Sequence, residues 1–228
     1  MGLGQRERLQ RKIALLLPSL GNAGQRLFTQ PRIADLYPEY LVTLHWIVRA
    51  SVPLMEAACT RAAALSKDDP VSAELVPYLS EHIPEEADHD EWLLSDLEVL
   101  GRDRSDVTAR PPSPTVAAFV GAQYYWIFHF HPVALLGYIA LLEGYPPTRK
   151  QIEELITRTG HSPKAFRTLL AHAEIDLRHR EVLDKKLDAL PLTKEQSTVL
   201  GLSAMHSIHM LTQAIDEISH RLEPPHYG

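Results

Sequence analysis

Apolar residues recur along this chain with the three-to-four-residue spacing of amphipathic helices, and Pro, Gly or Asp separate the stretches. The alternation typical of strands is almost absent. The spacing predicts helices over 5–17, 33–65, 71–82, 84–100, 115–129, 132–143, 148–158, 163–189 and 194–222. Because no linker is long enough to divide the chain, we expect one all-α domain over 1–228, with 222–228 as a flexible tail.

Composition and charge narrow the class of function. The 228 residues are 45% hydrophobic and 23% charged, and no apolar run approaches the roughly 20 residues that span a bilayer. We therefore expect a cytoplasmic protein without a membrane partner. The net charge of −6, without basic clusters interleaved with aromatics, argues against a nucleic-acid partner. A small-molecule partner is expected, and a homodimer is one possible assembly.

With Cys59 as the single cysteine, any metal must be bound by histidines and carboxylates.

One predicted helix, 163–189, carries three candidate metal ligands. His172, Asp176 and His179 lie within a narrow arc of one helix face, which they share with several leucines, so they point into the core. A buried carboxylate is costly unless it is paired or binds a metal, and neutral imidazoles are good metal ligands. The pattern therefore predicts a metal site. A hydrogen-bonded His/Asp pair inside the core is the alternative.

A second candidate cluster lies earlier in the chain. Glu86 and His89 have the Glu-x-x-His spacing of di-iron helical bundles, which places both side chains on one helix face. Glu85 is equally well spaced from His89, whereas His82 joins that face only if the helix continues through Pro84. Proline fits better as the first residue of a new helix, in which Glu85 and Glu86 would be first-turn acids.

Glu143 is the third candidate. It follows the uncharged run 132–142, which reads as a core helix, and so lies at the negative end of that helix dipole. Local electrostatics does not explain an acid there, whereas metal binding does; contact with water at the helix end is the alternative. Asp96 lies on the apolar face of predicted helix 84–100 and is a candidate for orienting a ligand histidine.

These clusters together predict a two-metal site. The candidate ligands are Glu86, His89, Glu143, His172, Asp176 and His179, with His82 and Glu85 as alternatives on the first helix. Oxygen and nitrogen ligands without thiolate suit iron or manganese better than zinc or magnesium. We expect two labile Fe²⁺ ions per chain, with Mn as the alternative. With Glu86 or Glu143 as a bridge, such a centre can react with O2, and Glu86, Glu143 and Asp176 are the expected catalytic residues.

The motifs resemble those of the haem-oxygenase-like di-iron oxidases, which share the helical bundle of haem oxygenase but bind no haem. The family pattern of a Glu/His pair, a lone Glu and a His-x3-Asp-x2-His helix is matched by the six candidate ligands, and HIPEEADHDEWLLSDLEVLG is similar as well. In several members a Glu stands seven residues before the first His, where this chain has His82. The resemblance spans 71–190. It implies a haem-oxygenase-like bundle and O2-dependent, biosynthetic oxidation of an amino-acid-, amine- or fatty-acid-like metabolite.

Two other functions are compatible with the same pattern. Thiaminase-like hydrolases and cofactor-free quinone-forming oxidases have this architecture without a metal. The hydrolases need a nucleophilic Cys near a carboxylate, and Cys59 has no identifiable partner in the sequence. A non-catalytic iron or ligand carrier would use the same pocket as an enzyme. Substrate-dependent O2 consumption by the Fe(II)-loaded protein distinguishes the enzyme from the carrier.

Overall fold

The secondary structure is helical throughout residues 3–220, the part of the chain that the computed structural model describes, and this part contains no strand. The α-helices are α1 (Gln5–Phe28), α2 (Ile33–Val48), α3 (Ser51–Leu65), α4 (Pro70–Glu86), α5 (His89–Val99), α6 (Arg104–Ala109), α7 (Pro114–His129), α8 (Leu135–Leu142), α9 (Arg149–Thr159), α10 (Arg167–Ala189) and α11 (Lys194–His220). Short 3₁₀ turns, Pro132–Ala134 and Pro163–Phe166, precede α8 and α10. The predicted all-α class is confirmed. The predicted tail, 222–228, lies outside the described residues.

The longest helix, α11, is the centre of the packing. It lies along α1 and also contacts α2, α7 and α8. At Gly137 the backbone of α8 comes so close to α11 that a Cβ atom there would lie 2.5 Å from the carbonyl oxygen of Leu200 and 2.7 Å from the nitrogen of Ala204. Glu143 follows directly after α8, so this contact also positions Glu143. None of the helices within residues 3–220 has the length and hydrophobicity needed to cross a membrane.

Two predicted helix boundaries differ from the structure because of prolines and burial. α1 continues past its predicted end at 17 and through Pro18, since Leu27 beyond the proline is fully buried and its packing outweighs the lost hydrogen bond. The predicted helix 33–65 is broken at 49–50. Pro53 is the physical reason, because its ring has no N–H to donate to the carbonyl of residue 49 and would clash with it in a continuous helix.

The break between α4 and α5 lies later than the sequence predicts. α4 continues through Pro84 and ends at Glu86, and α5 begins at His89. Between them, Ala87 is extended and Asp88 has a left-handed backbone conformation with φ of 65°. Asp tolerates this conformation better than most residues other than Gly. The prediction of a new helix starting at Pro84 is therefore wrong.

This shift changes how the first-helix candidates are arranged. His82 and Glu86 lie one turn apart on the same helix, and both are buried. The prediction that Glu85 and Glu86 are first-turn acids is wrong, because they end α4, where the helix dipole disfavours negative charge. Carboxylates at the end of α4 need a positively charged partner to offset the helix dipole.

A buried polar network around His131 holds the start of α4. Asp69 caps the helix by accepting a hydrogen bond from the backbone N–H of Ser72 at 2.6 Å. Its carboxylate also accepts from His131 Nε2 at 2.9 Å and from Gln196 Nε2 at 3.1 Å. The N–H of Val133 donates to His131 Nδ1 at 3.1 Å, which places the ring proton on Nε2. The network ties α4 to the turn before α8 and to α11.

The Asp69 network predicts a defined acid sensitivity. Burial raises the pKa of Asp69, but the hydrogen bonds from Ser72, His131 and Gln196 together outweigh it and lower the pKa from 3.8 to about 2. The ionised carboxylate therefore stabilises the fold above about pH 4, and this contribution is lost as the pH falls towards the folded-state pKa. We expect Asp69→Asn to lower the free energy of unfolding by about 1–2 kcal/mol at pH 7, and by less as the pH falls.

Urea unfolding of both proteins between pH 2 and pH 7 measures this difference. Asp103→Asn is the matched control, because Asp103 also caps a helix, α6, but at an exposed position. Asp103→Asn should lower the free energy of unfolding by less than Asp69→Asn does. A difference between wild type and Asp69→Asn that does not change with pH would contradict the assigned role of the carboxylate.

Gly137→Ala tests the close contact between α8 and α11. The added methyl group would collide with the backbone of α11, so we expect a loss of roughly 1–3 kcal/mol in the free energy of unfolding. Gly121→Ala is the control, since a Cβ atom at this position in α7 meets nothing within 4 Å. It should stabilise the protein by about 0.5–1 kcal/mol. Equal effects of the two substitutions in chemical denaturation would show that the contact does not constrain the fold.

Candidate metal centre

Four buried side chains from separate parts of the chain converge in the core. They are His82 and Glu86 of α4, Glu143 after α8 and His179 of α10, and one ligand atom of each lies within 4.8 Å of the others. His82 Nε2 lies 2.9 Å from Glu143 Oε1. His179 Nδ1 lies 3.2 Å from Glu86 Oε1 and 3.7 Å from Glu143 Oε2. We call His82, Glu143 and His179 the first half-site.

Three further predicted ligands form a second half-site next to the first. These are His89 of α5 and His172 and Asp176 of α10. His172 Nδ1 lies 3.0 Å from Asp176 Oδ1, as their spacing of one helical turn predicts. The rings of His89 and His172 are nearly perpendicular, with centroids 4.8 Å apart. The structure therefore brings all six predicted ligands together and adds His82, which the sequence placed among the alternatives.

Glu86 lies between the two half-sites. Its Oε1 faces His179 of the first half-site, and its Oε2 lies 3.0 Å from His89 Nδ1 in the second. The i, i+3 spacing of Glu86 and His89 predicts one helix face, whereas they lie on two helices that meet across the turn at Asp88. Both oxygens of Glu143 face the first half-site. Glu86 is therefore the carboxylate whose two oxygens face different half-sites.

Glu85 lies at the outer edge of the cluster. It is partly exposed and pairs with Arg178 at 2.8 Å. Its carboxylate also lies 3.3 Å from His179 Nε2 and 3.6 Å from His82 Nδ1. These are the outer ring nitrogens, and the opposite nitrogens face the interior of the first half-site. Glu85 thus has the position of a carboxylate that orients two ligand histidines by contacting their outer ring nitrogens.

Asp96, the candidate for that orienting role, has a different partner. Its Oδ2 accepts a hydrogen bond from the backbone N–H of Thr168 at 2.9 Å, at the start of α10. This contact holds the helix that carries His172, Asp176 and His179, and it is not a contact with a histidine ring. The sequence placed Asp96 correctly on a buried face, but could not specify which group it would meet.

The cluster concentrates negative charge in the core. Burial raises the pKa of Glu143, and the hydrogen bond with His82 only partly offsets it. Burial also acts to raise the pKa of Glu86, but the contacts with His179 and His89 outweigh it and hold that pKa well below its usual range. Both carboxylates lie at the C-terminal ends of helices, where the dipole is unfavourable. A bound cation would offset both the burial of these carboxylates and the unfavourable helix dipoles.

Unpartnered polar atoms show that the residues present fit a metal. Four buried atoms of the cluster make no hydrogen bond and are available to a metal: Glu86 Oε1, Glu143 Oε2, His172 Nε2 and His179 Nδ1. Each such atom costs about 1–3 kcal/mol unless something else binds it. Two ligands at right angles on one ion, each bonded at about 2.1 Å, lie about 3 Å apart. The separations of 2.9–3.7 Å in the first half-site are close to that value.

A cavity of about 200 Å³ adjoins the cluster. Glu86, Glu143, His172 and Asp176 line it, and the other lining residues come mostly from α2, α8, α11 and the segment 145–147. The sequence pattern did not reveal this cavity. Its walls come from helices far apart in the chain, and apolar residues facing a cavity have the same periodicity as those that fill a core.

Comparisons with known proteins agree with this geometry. A family model described as iron-containing redox enzyme matches residues 38–210. A solved domain of unknown function from Shewanella denitrificans OS217, with a heme oxygenase-like fold, is 21% identical with a TM-score of 0.78, covering 93% of this chain and 90% of that chain. A TenA homologue from Pseudomonas syringae pv. tomato DC3000 is 13% identical with a TM-score of 0.64, covering 90% and 91%. No curated protein matches. The predicted haem-oxygenase-like fold is confirmed.

Asp88→Val tests whether the turn between α4 and α5 positions the cluster. A β-branched residue strongly disfavours a φ of 65°, so we expect a loss of about 1–2 kcal/mol in the free energy of unfolding. Asp88→Gly should keep or raise the stability, because Gly adopts this conformation freely. Ala87→Val is the matched control, since its extended backbone accepts valine. Equal chemical-denaturation curves for the two valine variants would contradict this role of the turn.

Proposed function

This chain belongs to the iron-containing redox enzymes, and from that membership we propose that it binds two iron ions and uses O2 to oxidise a small metabolite. The substrate is amino-acid-, amine- or fatty-acid-like. The ligand types, their pairing into two half-sites and the cavity beside them support this reaction class.

The position of Glu86 carries the proposal. One of its oxygens faces the first half-site and the other faces the second, at 3.2 Å from His179 Nδ1 and 3.0 Å from His89 Nδ1. Carboxylates that bridge two ions are characteristic of helical di-iron proteins. A single-ion site would need only the first half-site, and would leave the buried Nε2 of His172 without a partner.

The donor atoms favour iron, with manganese as the alternative. The cluster offers carboxylate oxygens and imidazole nitrogens without a thiolate, and it has more ligands than zinc usually takes. His82, Glu143 and His179 would hold one ion, His89, His172 and Asp176 the other, and Glu86 would contact both. When bound, iron supplies the electrons that reduce O2 and the oxidising power that acts on the substrate.

The chain itself orients the ligands and controls protons. Glu85, held by Arg178, contacts the outer nitrogens of His82 and His179 and limits the rotation of both rings. Without metal, a proton lies between His82 Nε2 and Glu143 Oε1, at 2.9 Å, and it must leave when both side chains become ligands. Burial of the cluster keeps bulk water away from the reacting atoms.

The metal-independent alternative finds less support. A hydrolase of this architecture needs a nucleophilic cysteine beside a carboxylate, whereas Cys59 Sγ lies 3.8 Å from the carbonyl oxygen of Val76 and 3.6 Å from Ser80 Oγ. These contacts are between α3 and α4, and Cys59 is not among the residues that line the cavity beside the cluster. The TenA homologue shares the fold alone.

Anaerobic titration with Fe(II) tests the proposal directly. We expect about two irons per chain for the wild-type protein, because two half-sites share Glu86. His172→Ala/His179→Ala removes one ligand from each half-site and should lose most of the iron. His209→Ala/His220→Ala is the matched control, since both histidines are exposed on α11. Iron content by metal analysis and folding by circular dichroism are measured on the same samples.

Single substitutions then separate the half-sites. Glu143→Ala and Asp176→Ala should each lower the iron content towards one per chain, whereas Glu86→Ala should weaken both sites. Two irons in the His172→Ala/His179→Ala protein would refute the two-site assignment. If iron binds as expected but no substrate drives O2 consumption, the protein is an iron carrier and the enzymatic part of the proposal is wrong.

A further inference from the structure

We propose that the substrate has an apolar body, one polar end directed at the metal cluster and no charged group at the end away from the cluster. This inference rests on the proposed function and narrows its substrate class. The evidence is the lining of the cavity beside the cluster, which has all its charged groups at one end.

The rest of the lining is mainly apolar and uncharged, although it also contains the hydroxyl-bearing side chains of Tyr40, Ser51 and Tyr138. The apolar residues include Leu44, Ile47, Ile139, Leu211 and Ile215, from α2, α8 and α11. Among the described residues that line the cavity there is no Lys or Arg. A charged group placed against these walls would lose its hydration without gaining an ionic partner, which is strongly unfavourable.

The charged end of the cavity admits one polar group. Glu86, Glu143, Asp176 and His172 all belong to the two half-sites, so a polar group of the substrate meets them and any metal they hold. A substrate with charged groups at both ends of its body could bring only one of them into this space. The other would lie against the apolar walls.

The size of the cavity limits the substrate further. A volume of about 200 Å³ is below the 300–1,000 Å³ typical of pockets for drug-sized ligands. At about 30 Å³ for a water-sized group, the cavity accommodates on the order of ten heavy atoms or fewer. Tyr145, which is half-exposed, lies at the rim together with Pro146 and Pro147, where a substrate could enter.

Direct binding to the metal-free protein tests the inference without depending on turnover. Calorimetric titration compares 1-butanol, 1-hexanol and 6-hydroxyhexanoate, whose carboxylate would lie either against the apolar walls or beside the carboxylates of the cluster. We expect the affinity to rise about fourfold for each added CH₂ from butanol to hexanol. The hydroxy acid should bind at least about tenfold more weakly than 1-hexanol. Equal or tighter binding of the hydroxy acid would overturn the proposal.

Two variants locate the binding in this cavity. Leu211→Trp fills it and should abolish hexanol binding, whereas Leu202→Trp, on the exposed face of α11, should leave binding unchanged. Unchanged hexanol binding in Leu211→Trp would refute the cavity as the site.

The same comparison with Mn(II)-loaded protein covers the metal-bound state. Hexanoic acid should bind at least about tenfold more tightly than hexanedioic acid, which has the same chain length and a second carboxylate at its other end. If iron binds and O2 is consumed but the diacid binds as well as hexanoic acid, only the substrate class is wrong. If the wild-type protein binds no iron, the proposed function fails, and hexanol binding to the metal-free protein still tests the cavity.

Discussion

Burial of charge is the constraint on which the rest of this structure depends. Three carboxylates and four imidazoles lie in the core of a helical bundle, where an unpaired ionised group costs several kcal/mol. The side chains meet this constraint by facing one another in two half-sites, with Glu86 between them. Glu86 Oε1, Glu143 Oε2, His172 Nε2 and His179 Nδ1 still have no hydrogen-bond partner, and metal binding is the chemistry that would satisfy them.

The helices around the site are arranged so that these charges meet. The turn at Asp88 brings Glu86, at the end of α4, and His89, at the start of α5, within 3.0 Å. The close contact of α8 with α11 places Glu143 opposite α4 and α10. At the two ends of this assembly, Asp69 caps α4 and Asp96 accepts from the first turn of α10. Polar contacts remote from the cluster therefore determine its geometry.

The proposed function rests on the charged cluster, and the proposed substrate class rests on the cavity beside it. The cluster is highly charged, whereas the rest of the cavity that opens onto it is mainly apolar, with no Lys or Arg among its described lining residues. In such a site the metal would select the polar end of a substrate and the walls would select its body. The iron-containing redox enzymes thus provide the reaction class, and the walls of this particular cavity provide the specificity.

The sequence by itself determined the all-α class and the shared helix face of His172, Asp176 and His179, because helical periodicity and i, i+3 and i, i+4 spacing are local properties of the chain. It also identified Glu86, His89 and Glu143 as candidate ligands, although Glu86 and His89 lie on two helices and not on one face. It could not place His82, since only packing decided that α4 would continue through Pro84. It also could not specify that Glu86 faces both half-sites, that Glu85 lies behind two histidines, or that a cavity adjoins the cluster. These features depend on the distances between helices far apart in sequence, which tertiary packing alone sets.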